Sequence, residues 1–263
     1  MTGARALRAG PGAVRALRAG GTGRVELVLG SGGYVALGTR GWLLLGPPRV
    51  QHGPLSVHVA GLRPLVDGAP ARVANGWLEV GEQRIALAGM RLTRRRPLAG
   101  DGDPRAVPGV PAGGTPPALA PGVAALARAD LESAVDLLAG RGEGLTPAGD
   151  DVLAGWAGWK AAAGAPVAVA DAAAGRTTAL SVAYLRCAER GELPEPAEAL
   201  IGALWAGDAA AARRSARRLA GWGATSGRAI MLGMAVAGGA ARTGRARPAP
   251  APRCPPAAPS PRR

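Results

Sequence analysis

Residues 99–121 divide this chain into two parts that obey different hydrophobic periods. They are mostly Pro, Gly and small side chains, with Val107-Pro-Gly-Val-Pro-Ala-Gly-Gly-Thr-Pro-Pro117 at the centre. Such a composition packs no core and reads as a linker. Before it, residues 21–98 carry short apolar or alternating runs: Arg24–Leu29, Tyr34–Leu37, Trp42–Leu45, Leu55–Ala60, Trp77–Val80 and Arg84–Ala88. Gly30-Ser-Gly-Gly33, Gly46-Pro-Pro48, Asp67-Gly68 and Asn75-Gly76 punctuate them. Short strands with such turns indicate an antiparallel β-sandwich or barrel, and Asn-Gly is a strong hairpin signal. After the linker, residues 122–242 are rich in Ala and Leu, and helices are expected over 122–139, 147–163, 177–190, 196–206, 208–220 and 226–241. The fold class is therefore α+β, with an N-terminal β-sandwich or barrel followed by a C-terminal α-helical domain.

Charge and composition narrow the function. The net charge is +14, from 31 Arg and a single Lys, Lys160. Residues 1–25, 91–96 and 241–263 hold fifteen Arg and no acid, so the remainder is nearly neutral. Residues 1–20 are expected to be a disordered basic leader and residues 243–263 a disordered Pro/Arg-rich tail. Neither shows a sustained apolar face, so their removal is expected to leave folding intact. No aromatic-interleaved basic platform accompanies them, which argues against specific nucleic-acid binding. No uninterrupted apolar run reaches the length of a membrane span. Cys187 and Cys254 are too few for a disulfide scaffold and too far apart for a metal motif. Cys187 lies in an apolar helical pattern and reads as a buried thiol. A cytoplasmic protein is expected. His52 and His58 have no zinc spacing. His58, in Ser-Val-His-Val-Ala, alternates with Val57 and Val59 and is expected on the solvent face.

The chemistry concentrates in Gly144-Leu-Thr-Pro-Ala-Gly-Asp-Asp-Val-Leu-Ala-Gly155. Thr146 before Pro147 reads as a helix N-cap followed by the first helical residue. Asp150 and Asp151 then fall in the first two turns, where the helix dipole favours carboxylates. Adjacent carboxylates still repel each other, so a cation, a donor cluster or a shared proton is expected beside them. Gly140, Gly142 and Gly144 precede the cap and leave backbone amides open to an anion. The segment lacks the Gly-Lys-Ser/Thr ending of a nucleotide P-loop. Thr177 and Thr178 stand at one further helix start, and Thr225-Ser226-Gly227 at another. Two polar helix starts in an apolar bundle call for a shared pocket, because unpaired buried polar groups cost about 1–3 kcal/mol each. Asp150 lies one turn beyond Thr146 on the same face, so Asp150 is expected to meet the ligand and Asp151 to support it.

These three segments resemble the AllH-type family, described as a subunit of oxamate carbamoyltransferase. The resemblance runs over about residues 24–240. It rests on the Gly-x-Gly-Leu-Thr-Pro-Ala-Gly-Asp-Asp motif, on Thr177-Thr-Ala-Leu-Ser181 and on Gly223-Ala-Thr-Ser-Gly227. The family pattern commonly has a polar or acidic residue after Thr-Ser-Gly, where this chain has Arg228 and Ala229. The resemblance implies carbamoyl transfer between oxalurate and phosphate, in a hetero-oligomer with other transferase subunits, within allantoin and purine breakdown. A small carboxylate- or phosphate-bearing substrate is then expected at Gly144, Thr146, Gly149, Thr177, Thr225, Ser226 and Gly227. Asp150 and Asp151 are expected to act catalytically, holding a divalent cation such as Mg²⁺ or orienting donors and a proton. A non-catalytic scaffold or regulatory subunit of a metabolic complex is the alternative.

Overall fold

The computed structural model describes residues 3–93 and 115–240. Most of the Pro/Gly linker, and the whole tail from residue 243, lie outside the described residues. Nine strands form in chain order: β1 Ala4–Ala9, β2 Gly21–Leu29, β3 Gly32–Ala36, β4 Trp42–Gly46, β5 Ser56–Ala60, β6 Pro70–Ala74, β7 Trp77–Val80, β8 Gln83–Ala86 and β9 Arg91–Leu92. They pair in the order β5-β4-β3-β2-β6-β7-β8-β1, and β1 then pairs back onto β5. This closes an eight-strand barrel, with β9 added outside β1. Closure leaves the eight strands no free edge. Most pairings are antiparallel, but β4–β5 and β1–β8 are parallel. The Asn75-Gly76 turn joins β6 to β7 with both residues at positive φ, 51° and 77°, as a two-residue hairpin of this type requires. Inward residues such as Val25, Val35, Leu43, Leu45, Val59, Leu78 and Ile85 fill the barrel.

Residues 4–19 are not a disordered leader. Ala4–Ala9 is the closing strand, and α1, Pro11–Ala19, packs Ala13, Val14, Ala16 and Leu17 into the barrel core. The arginines face outward between these small apolar residues, which disguised the pattern as a basic repeat.

Eight further helices follow: α2 Ala120–Ala127, α3 Leu131–Leu138, α4 Ala148–Ala162, α5 Ala170–Ala173, α6 Ala179–Ala188, α7 Glu195–Trp205, α8 Ala209–Ala220 and α9 Ser226–Ala240. The single helix expected over 122–139 is two. Ala129 takes a positive φ of 60°, and the Asp130 side chain caps α3 by accepting the Ser133 N–H. At the centre, α4 and α9 cross with glycine against backbone. A β-carbon at Gly155 would overlap the Ile230 carbonyl, and one at Gly233 would overlap the Val152 carbonyl. Trp156 and Trp159 of α4 are buried, and Trp159 meets Trp205 of α7 edge to face at 4.9 Å. Among the described residues no helix is long and apolar enough to cross a membrane.

Barrel and helices are fastened together. Arg15 makes a two-pronged ion pair with Glu192 at 2.5 and 2.6 Å, and Arg8 bonds Glu195 at 3.2 Å. The Glu195 N–H donates to the His52 carbonyl at 2.9 Å. Leu55 of the barrel packs with Leu180 and Cys187 of α6. Cys187 is buried, as expected, and burial pushes its thiol up to about 12.

His58 does not face solvent. His52 covers it with ring centroids 4.7 Å apart, and both are almost fully buried. Strand β5 is held between β1 and β4, and the segment carrying His52 lies over its outer side, so period-two alternation could not reveal the burial. Burial, then the Arg8 charge, pushes His52 down to about 3, so it is neutral near pH 7.

Candidate functional site

The start of α4 sets the site. Pro147, not Thr146, is the N-cap residue, and the helix opens at Ala148. Thr146 makes no side-chain cap. Both aspartates lie in the first turn and both are buried. Their surroundings differ completely.

Asp150 is saturated. One carboxylate oxygen accepts the Gly140 N–H at 2.9 Å, and the other accepts a short hydrogen bond from the Thr177 hydroxyl. Two donors on one carboxylate lock the loop between α3 and α4 onto the start of α6. The same clamp continues at Leu145, whose carbonyl accepts from the Thr178 hydroxyl at 2.6 Å and the Ser181 hydroxyl at 3.3 Å. Thr178 also caps α6 through the Ser181 N–H.

Asp151 faces a cavity of about 510 Å³ between the helices and the barrel. Ser226 lies beside it and favours its charged form, and one of its oxygens has no partner. Burial, and to a lesser extent the Asp150 charge, pushes the Asp151 carboxyl up to about 7 against the pull of Ser226. Gly144, Thr146, Thr225 and Ser226 line the same cavity, so the two polar helix starts do share one site. Asp150, Gly149, Thr177 and Gly227 do not line it. Gly149 and Gly227 are packing glycines, since a β-carbon at either would overlap a backbone carbonyl, of Leu138 and Leu219 respectively.

Asp151, and not the expected Asp150, is thus the acid that faces the cavity. The i, i+4 relation to Thr146 is sound, but α6 packs against the Asp150 side and supplies Thr177. The cavity opens on the Asp151 side. Each oxygen of Asp150 already accepts one protein donor, while one oxygen of Asp151 has no partner. Among the described residues no group of three or more His, Cys, Asp or Glu gathers as a metal site.

Two site residues escaped the sequence reading. Tyr34 of β3 and Tyr184 of α6 line the cavity, with their hydroxyls 3.1 Å apart. They are the chain's only tyrosines. In a chain without Phe, two isolated phenols in otherwise aliphatic patterns were the available signal. Burial raises both above the ordinary range, with a further upward push from Asp151, so both are neutral phenols near pH 7. Trp222, Leu27, Leu29 and Pro54 complete the apolar wall. Among the described residues no Lys, Arg or His lines this cavity.

These features define a pocket whose polar lining combines hydroxyls, the Asp151 carboxyl raised by burial, and the carboxylates of Glu143 and Glu192. Residues 138–238 match the model of the family described as Oxamate carbamoyltransferase subunit AllH, which supports the AllH-type family. The matched stretch holds Asp150, Asp151, Tyr184 and Ser226 but not Tyr34. No curated protein and no solved structure matches the chain.

Proposed function

We propose that this chain is a subunit of a carbamoyltransferase-like enzyme and that the Asp151 pocket receives the uncharged carbamoyl end of its substrate. The observation that carries this reading is the buried Asp151 carboxyl, which faces the cavity beside Ser226 with one oxygen unpartnered and is pushed up to about 7 by burial. A neutral carboxyl donates to a carbonyl oxygen, and a water-poor site makes such a donor effective where negative charge develops. In the exchange proposed, a phosphate oxygen attacks the carbamoyl carbon of oxalurate. The bond from that carbon to the oxamate nitrogen breaks, and the nitrogen takes a proton, giving carbamoyl phosphate and oxamate. Asp151 and Ser226 would stabilise the carbonyl oxygen during attack, and the Tyr34–Tyr184 pair would orient the amide. The pocket offers no counter-charge to a carboxylate or phosphate, so the anionic ends would point out of it, towards other subunits of the assembly.

The test is phosphorolysis of oxalurate by the complex reconstituted with its co-encoded subunits, with and without magnesium. Asp151→Asn should lower kcat on the order of a hundredfold. Since the neutral acid is the working form, wild-type activity should fall as pH rises through about 7. Tyr34→Phe should raise KM with a smaller change in kcat. Full activity in the Asp151 variant would overturn the reading and leave a scaffold role.

A further inference from the structure

A second cleft, of about 520 Å³, lies between the barrel and the helices. From the barrel side come Arg15 of α1 and the turn Gly38-Thr-Arg-Gly41. From the helical side come Thr177 and the end of α6, with Arg186 and Arg190. Four arginines thus line one concave surface, and among the described residues no carboxylate lines it. Their partners are few. Arg15 is neutralised by Glu192. Arg186 reaches Asp171, whose side chain is 86% exposed, so solvent screens that pair. Arg40 and Arg190 bond only to backbone carbonyls, of Ala19 and Arg186. Arg186 and Arg190 stand four apart, a spacing at which like charges repel. Part of this is offset by the C-terminal dipole of α6. Arg40 lies on a different element and gains nothing from that dipole.

We propose that this cleft binds a small phosphate-bearing anion through Arg40, Arg186 and Arg190, with Arg15 held at its edge by Glu192. Planar guanidinium groups suit phosphate because each offers two parallel donors. The inference goes beyond the carbamoyl reading and does not depend on it. The two cavities are neighbours nonetheless. Glu192 lines the Asp151 pocket while its partner Arg15 lines this cleft. Thr177, also at the cleft, bonds Asp150, the neighbour of Asp151.

The experiment is isothermal titration of the full chain with inorganic phosphate and with pyrophosphate, at matched ionic strength. Wild type should bind, pyrophosphate more tightly. Arg40→Gln combined with Arg190→Gln should weaken binding tenfold or more, while Arg72→Gln, on an exposed barrel position, and Asp151→Asn should leave it unchanged. Should the double variant fail to melt cooperatively, Arg190→Gln alone carries the test, with a severalfold loss expected. The proposal is overturned if wild type binds neither anion at millimolar concentration, or if the arginine variants bind like wild type. It is equally overturned if Asp151→Asn alone removes binding, which would put the anion in the other cavity.

Discussion

Asp150 and Asp151 are chain neighbours with opposite tasks, and substitutions should separate them. Asp150 holds two donors, so Asp150→Asn turns an amide against one of them and frees the α3–α4 loop. Hydrogen bonds to a charged group contribute about 1.5–3 kcal/mol, and a loss of that order is expected in urea unfolding, with faster exchange of the Gly140 amide. An unchanged midpoint would show that the clamp contributes nothing. Asp151 behaves in reverse. Its folded-state carboxyl titrates at about 7, against an ordinary value near 4. Below about pH 4 both folded and unfolded chains carry it neutral. Between about 4 and 7 only the unfolded chain ionises, so stability falls as pH rises, and the loss is complete above 7. Asp151→Asn removes this penalty, which amounts to roughly 4 kcal/mol at most. Its thermal midpoint should match wild type near pH 4 and exceed it at pH 8. A variant less stable than wild type at pH 8 would contradict the assigned burial. The sequence placed both acids in one helical turn and brought Thr146, Thr225 and Ser226 towards them. It could not say which acid faced the cavity, because that depends on where α6 packs.

At the scale of elements, the sequence marked helices by Ala and Leu, but the contact that organises them is written in glycine. Gly155 and Gly233 let α4 and α9 approach until backbone meets backbone. Gly233→Ala should therefore cost about 3 kcal/mol, at the upper end for overpacking, despite the better helix propensity of Ala. Guanidinium unfolding of the variant measures this, and a stabilised variant would show that the two helices can separate at little cost. A period-based reading sees such glycines as breaks or as neutral positions. The same reading missed the division between α2 and α3, where the Asp130 cap outcompetes helix continuation. It also missed β6, because Pro70 opens that strand and Arg72 interrupts its apolar pattern.

For the molecule as a whole, the decisive element is the one that looked least structured. β1 pairs with β5, β8 and β9, so without it the barrel has open edges. α1 adds Val14 and Leu17 to the barrel core, and Arg8 and Arg15 reach across to Glu195 and Glu192. Deleting residues 1–20 thus removes a closing strand, part of the core and two links to the helical part at once. Contrary to the expectation drawn from the lack of a sustained apolar face, the truncated chain should lose cooperative unfolding of the barrel. Its strand amides should exchange within seconds, and the unpaired edges of β5 and β8 should drive aggregation. The helical half should suffer less, because its own core is built from α2 to α9. Hydrogen exchange resolved by segment distinguishes the outcomes. Protection retained in β2 to β8 after the deletion would mean that the barrel closes by another pairing and that the first strand is dispensable. Protection lost in the barrel but kept in α4 and α9 would place β1 as its keystone. It would also show that the Asp151 pocket, whose outer wall includes Tyr34 and Leu27, depends on a segment outside the family-matched stretch.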